Sequence, residues 1–283
     1  SGYRIYRTAQ PDDDPENVEL IAEISSGSTT EYDDEGAAVT AGEVPLPQGS
    51  LGRCRAPTTL TTARAGPATA SVQKPGDPTT YYLYAFGGGD GTGTTYDSYE
   101  WAEVSIDANG DQTLGAWTEG AKTIGSARRD LGVWVVTNDD TSIIGANEAY
   151  VFVGPGNAGT GPRVNEMTSG FIDDTATSGE LQSGAANSLD TENAPGGYAG
   201  YGAGDSSGFL YLFGGLRGGF TGTDSSQEVL AGPDLDNSNS LGGGSMNVRR
   251  AYHGTAQESA FFFVAGGETD TESATTSVEQ TSR

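Results

Sequence analysis

The stretch Tyr81-Tyr-Leu-Tyr-Ala-Phe-Gly-Gly-Gly89 decides how the rest of the chain reads. An unbroken apolar and aromatic run ended by glycines describes a strand buried on both faces, not an amphipathic helix. The pattern recurs as Ala149-Tyr-Val-Phe-Val-Gly-Pro-Gly156, Phe209-Leu-Tyr-Leu-Phe-Gly-Gly215 and Ala260-Phe-Phe-Phe-Val-Ala-Gly-Gly267. The first glycines stand at 87, 154, 214 and 266, spaced by 67, 60 and 52 residues. A recurrence of that length marks a repeated supersecondary unit that cannot bury its apolar faces alone.

The rest of each unit recurs too. Upstream lies a basic or small-residue corner: Ala63-Arg-Ala-Gly66, Ala127-Arg-Arg-Asp130 and Val248-Arg-Arg-Ala251, with Ala194-Pro-Gly-Gly-Tyr198 in the third unit. Downstream comes a further strand, at Tyr99 to Ile106, Asn165 to Ile172, Ser226 to Ala231 and Ser277 to Gln280. The first of these runs into Asp107-Ala-Asn-Gly110, a turn of the Asx-Gly kind, and then Leu114-Gly-Ala-Trp117. Apolar stripes at helical spacing are missing, so an all-β chain with helix below about a tenth of its residues is expected.

A strand ending in a glycine doublet, a Tyr strand, a Trp and an Arg corner before the next unit resemble kelch repeats. The matching residues are Gly87-Gly88, Tyr99, Trp117 and Arg128/Arg129, then Gly214-Gly215, Arg250 and Gly266-Gly267, over about residues 55 to 283. The resemblance implies a kelch-like β-propeller of about four to five blades, each blade one four-stranded sheet. It also implies that Tyr99 and Trp117 pack between blades. The same strands are compatible with a β-sandwich or barrel, or with a solenoid.

The first fifty residues differ. Gly2 to Thr8, Val18 to Ile24 and Thr29 to Asp34 read as short strands joined by acidic stretches. Their order resembles part of a fibronectin type III-like module, as found in phage tail proteins. A blade-completing β segment is the other reading. The expected division is therefore 1–50 and 51–283.

Composition narrows function. Fourteen basic against 39 acidic residues give a net charge of −25. Such a surface repels nucleic-acid phosphates and anionic membranes, so neither partner is expected. The longest apolar runs, such as Phe261 to Ala265, are far short of a membrane span. The absence of a signal peptide or initiator Met before Ser1 suggests a processed chain or part of a longer one. One cysteine, Cys54, forbids an internal disulfide, and one histidine, His253, leaves a single imidazole base and no multi-His metal site.

Chemistry is correspondingly sparse. His253, just after Arg249-Arg250, reads as a structural or hydrogen-bonding residue near the corner. The kelch family includes a copper radical oxidase, which needs at least two histidines and is ruled out. Sialidases, another propeller class, carry a Ser-x-Asp-x-Gly-x-Thr-Trp turn that Ser105-Ile-Asp-Ala-Asn-Gly110 only begins. Cys54, between Arg53 and Arg55, has no partner base in view and reads as incidental. The glycine-rich stretches 87–93 and 214–222 open no helix and so are no phosphate cradle.

Asp107, Asn109 and Asp111 place oxygens at i, i+2 and i+4, as in the first half of a calcium loop, but the later Gly and Glu are lacking. Asp234 to Ser238 has similar spacing. No catalytic residue or organic cofactor is nominated, and calcium is the one ion the spacing admits.

The expected function is a non-enzymatic binding or structural module outside the cytoplasm, secreted, on a cell surface or in a virion. Its partner would be a glycan, a protein or neighbouring subunits. The alternative is a propeller-based glycoside hydrolase or lyase.

Overall fold

Each aromatic run is the second strand of an antiparallel meander in the computed structural model. The structure describes residues 3–8, 18–25, 31–34, 58–108, 112–137, 147–159, 163–164, 166–193, 198–206, 209–217, 221–230, 245–258, 261–269 and 273–282. All regular elements are strands, and the described residues contain no helix. The chain divides into two compact units, Ser1–Pro57 with Ile106–Thr113, and Thr58–Ser105 with Leu114–Arg283. In the smaller unit, Tyr3–Thr8 pairs antiparallel with Val18–Ile24, and Arg7 bonds both oxygens of Asp34. The third strand expected there is not formed over residues 31–34.

Among the described residues the larger unit holds four meander sheets in chain order, besides the short pair Gly156–Asn157 and Arg163–Val164. The first is built from Ala68–Gln73, Thr80–Phe86 and Tyr99–Ile106, with Thr118–Glu119 pairing at its outer edge. The second runs Val133–Thr137, Glu148–Val153, Glu166–Asp173 and Asp190–Asn193. The third runs Gly202–Ser206, Phe209–Phe213, Thr221–Leu230 and Ser245–Arg250. The fourth has Gly254–Glu258, Phe261–Ala265 and Val278–Ser282. None of these sheets closes on itself. The first strands of successive sheets lie side by side, first against second, second against third and third against fourth.

This stacking explains the unbroken apolar runs. In a strand, successive side chains point to opposite faces, and the second sheet uses both. Ala149, Val151 and Val153 meet Tyr82, Tyr84 and Phe86 of the first sheet. Phe152, with Tyr150 beside it, meets Leu210 and Leu212 of the third. Phe213 and Tyr211 of the third sheet then pack on Phe262 and Val264 of the fourth. Tyr99 is fully buried between the first two sheets, where its hydroxyl donates to Glu180 and accepts from the Leu181 N–H. Trp117, expected to pack likewise, is only half-buried and belongs to none of the three clusters. The tryptophan that bridges sheets is Trp134, whose Nε1 donates to the Gly204 carbonyl at 2.9 Å.

The arginine corners are clamps. Arg64 donates to the carbonyls of Gly87 and Ser98, to the Ser98 hydroxyl and to Glu100. Arg250 repeats the set on Gly266, Ser277, the Ser277 hydroxyl and Glu279. In each case the carboxylate also accepts the N–H groups two and three residues before its arginine: Thr61 and Thr62, or Asn247 and Val248. Burial pushes both carboxyls up, and the donated hydrogen bonds outweigh it, leaving Glu100 and Glu279 below their ordinary value. Arg128 has no such carboxylate bond. It is fully buried on the carbonyls of Gly154, Val153, Ile124 and Ser126 and on the Thr168 hydroxyl, and burial lowers its pKa.

The third unit's missing arginine is replaced by Tyr198. Ala65, Arg129 and Ala251 bridge to Gly89, Asn157 and Glu268, and Ala199 pairs with Leu216 in the same way. Tyr198 therefore stands where Arg64, Arg128 and Arg250 stand, and it too is buried. The same bridges correct the second unit's register. The counterpart of Gly88, Gly215 and Gly267 is Gly156, because a Cβ on each would meet the corner carbonyl, that of Ala65, Ala199, Ala251 or Arg129. Pro155 thus occupies the place of the first glycine. It has no N–H, whereas the Gly87 and Gly266 N–H groups at that place donate to the Ser98 and Ser277 carbonyls.

Candidate functional site

One residue after each corner, the four units join into a single hydrogen-bonded track. The Asp130 N–H donates to the Gly66 carbonyl at 2.9 Å, Gly200 N–H to Asp130 at 2.8 Å, and Tyr252 N–H to Gly200 at 2.7 Å. All four residues are in the left-handed region, with φ of 66°, 54°, 62° and 53°. Glycine adopts that conformation freely, but aspartate and tyrosine do not. Asp130 and Tyr252 are the two non-glycine residues at positive φ among the described residues.

The side chains of these two explain the glycines before them. The Asp130 carboxylate occupies the space beside Gly66, where a Cβ would lie 2.7 Å from Oδ1. The Tyr252 ring occupies the space beside Gly200, where a Cβ would lie 2.7 Å from Cδ1 and Cε1. Arg129 lies beside the track, its Nε 3.6 Å from Asp130 Oδ2. Tyr252 is 48% exposed, and Asp130 and Arg129 are each partly exposed. The strip therefore presents a carboxylate and a guanidinium from the second unit and, past Gly200 of the third, an aromatic ring from the fourth.

The loops leaving the second strands border this strip. Asp90 Oδ1 accepts the N–H groups of Thr92, Gly93 and Thr94, which holds its carboxyl well below the usual range. Asn157 Oδ1 accepts the Gly159 N–H, and Gly159 approaches Gly93 so closely that a Cβ would lie 2.6 Å from its carbonyl. These loops are shaped by their own short polar side chains.

A second concavity, of about 410 Å³, opens at the other end of the strands. Lys74 and Asp77 in the turn of the first sheet face Asn147 and Glu148 of the second. Asp77 Oδ1 is held by Thr79, through its N–H and its hydroxyl. The strand Ala68–Gln73 separates this cavity from the track by about 20 Å, at roughly 3.3 Å per residue.

The residues nominated from sequence are not gathered at either place. Asp107 is exposed, while Asn109 and Asp111, its companions in the calcium reading, lie outside the described residues. So do Asp234 to Ser238 and Cys54. Among the described residues no three His, Cys, Asp or Glu side chains are grouped as a metal site, and no helix is long and apolar enough to cross a membrane.

His253 sits between the third and fourth sheets, against Gly202, Gly214 and Gly267. Both its ring nitrogens are buried. Burial, and then the neighbouring Arg250, lower it to about 4. The track residues themselves were missed. Their one sequence signal is position, directly after the corner, where Gly66 and Gly200 alternate with Asp130 and Tyr252.

No family model and no curated protein matches this chain. Among solved structures, one titled "Structure of YjhT" aligns with 79% of this chain and 64% of its own length, at 15% identity and a TM-score of 0.49. The chain thus spans less than two thirds of that structure, and nothing about the site is carried over from it.

Proposed function

We propose that the four sheets are blades of a kelch-like β-propeller, and that the chain is a non-enzymatic module, outside the cytoplasm, that binds a glycan on the track. The propeller reading is supported by first strands lying side by side and by the two-sided burial of the second and third sheets. The observation that carries the binding reading is Tyr252. A bulky residue is held at positive φ with its ring half-exposed over Gly200, on the same track that carries Asp130, with Arg129 beside it, one unit further back. Strain of that kind costs about 1–3 kcal/mol and persists where surrounding structure enforces it, often at binding sites. An exposed aromatic face offers apolar area with one polar tip, which suits the face of a sugar ring flanked by hydroxyl-binding groups.

The test is calorimetric titration with a panel of neutral and acidic oligosaccharides, comparing wild type with Tyr252→Ala. At least tenfold weakening in the variant, at an unchanged melting temperature, is the expected result. Equal affinity in the two proteins would contradict the site. Release of new reducing ends from any oligosaccharide would favour the glycoside hydrolase or lyase instead.

A further inference from the structure

At position 129 the four units share a backbone but not a side chain. Ala65, Arg129 and Ala251 each form an antiparallel bridge to the residue that follows the glycine turn, and Ala199 pairs with Leu216 in the same way. Three units therefore place alanine here, and the second alone carries a long cation. The repeat needs no more than a methyl group at this place, so the guanidinium answers to something other than the fold.

Its surroundings also differ from those of the corner arginines. Arg64, Arg128 and Arg250 each donate to several carbonyls, hydroxyls or carboxylates. Among the described residues the Arg129 guanidinium has no such acceptor. Its Nε is buried without a hydrogen-bond partner, and Asp130 Oδ2 stands 3.6 Å from it, too far for a hydrogen bond. The terminal nitrogens are not buried, and the side chain is 31% exposed. An arginine that is about two-thirds covered with an unfilled fork is a ready receptor for an oxyanion.

A second donor lies beside it. Asn157 is the bridge partner of Arg129, and such cross-strand pairs point to one face with their Cβ atoms about 4.5–5.5 Å apart. Asn157 Oδ1 is taken by the Gly159 N–H at 3.1 Å, which leaves Nδ2 to donate. The other units carry Gly89, Leu216 and Glu268 at this position, so only the second pairs a guanidinium with a carboxamide.

We infer that the ligand of the track is an acidic sugar, whose oxyanion is held by the Arg129 fork beside Asn157. This inference rests on the glycan reading and narrows it. Asp130 lies along the Nε edge and orients the guanidinium, so the terminal edge is free for two oxygens of a carboxylate or sulfate. Tyr252 stands two hydrogen-bonded steps along the track from Asp130, about 10 Å at the usual spacing of paired backbones. That span exceeds one sugar ring, so the ligand is an oligosaccharide with its charged group at Arg129 and an apolar ring face at Tyr252. With a net charge of −25 the rest of the surface repels such a ligand, so its binding depends on this one fork.

Calorimetric titration of the full chain with three probes provides the test: trigalacturonic acid, its fully methyl-esterified form, and a sulfated neutral trisaccharide. Wild type is expected to bind the uronate, the sulfate ester or both at least tenfold more tightly than the methyl ester, and the stronger of the two names the oxyanion. Arg129→Ala restores the residue of the other three units, so it keeps the wild-type melting temperature. It should bind charged and esterified probes equally. Tyr252→Ala should weaken all probes and leave their ratio unchanged. Equal affinity of wild type for charged and esterified probes, or a charge preference that survives in Arg129→Ala, would overturn the inference while leaving a glycan site at Tyr252 intact. A preference lost in Arg129→Ala with no effect of Tyr252→Ala would support the oxyanion site and refute the aromatic one. Failure of all three probes to bind would overturn both.

Discussion

Replacing Arg128 with alanine tests the packing account at its most demanding point. The guanidinium is fully buried and donates to Gly154, Ile124 and Ser126 carbonyls at 2.8–2.9 Å, and more weakly to Val153 and Thr168 at 3.2–3.3 Å. Alanine leaves the three closest acceptors without their donor in a dry interior. At about 1 kcal/mol for each carbonyl so stranded, the loss is about 3 kcal/mol, with the weaker contacts and the cavity adding to it. The variant also frees a charge that is costly to bury, which offsets part of the loss. Urea unfolding followed by far-ultraviolet circular dichroism, with the slope fitted for each protein, measures the difference. Arg128→Lys retains the charge but replaces a rigid five-donor fork by a point donor, so it should recover only part of the loss. An Arg128→Ala protein within 1 kcal/mol of wild type, at an unchanged slope, would refute the reasoning.

Three further outcomes are expected. Gly200→Ala should cost about 2 kcal/mol or more, because it combines φ of +62° with a Cβ pressed on the Tyr252 ring; a loss under 0.5 kcal/mol in the same urea assay would mean that the ring does not lie there. The imidazole of His253 falls from the ordinary 6.5 to about 4 on folding, so the native state refuses a proton that the unfolded chain accepts. Its contribution is complete above pH 6.5 and is lost as pH falls toward 4, by up to about 3 kcal/mol; His253→Gln should flatten that limb of the stability profile, and parallel profiles would argue against it. At a net charge of −25, the melting temperature should rise between low salt and about 1 M NaCl as self-repulsion is screened; calorimetric scans independent of salt would show that the acidic surface does not oppose folding.

The strands were legible because burial on both faces leaves an unmistakable composition. Tyr81 to Phe86 and Phe209 to Phe213 form strands over nearly the residues their apolar runs mark. The corner arginines were legible as a recurrence, though not what they hold, since Arg64 and Arg250 reach carbonyls and carboxylates far along the chain. Two substitutions hid the third and second units. Tyr198 fills an arginine's place by burying a ring, and Pro155 shifts the glycine register by one residue. Trp134 was not legible as the bridging tryptophan, because its indole reaches the Gly204 carbonyl of the next sheet, far along the chain. The track was illegible for a stronger reason. Its hydrogen bonds join residues 66, 130, 200 and 252, and nothing in the local sequence at Asp130 or Tyr252 announces a left-handed backbone.

That track is the centre of the account, and native-state hydrogen exchange reads it directly. The amides of Asp130, Gly200 and Tyr252 lie in corners between strands, yet each donates to the preceding unit. If the four units are locked together there, these three amides exchange at least about a thousandfold more slowly than an open loop, and they do so together, because they open only when units separate. Exchange of all three at the unprotected rate, while the strand amides of Thr80–Phe86 and Glu148–Val153 stay protected, would contradict it.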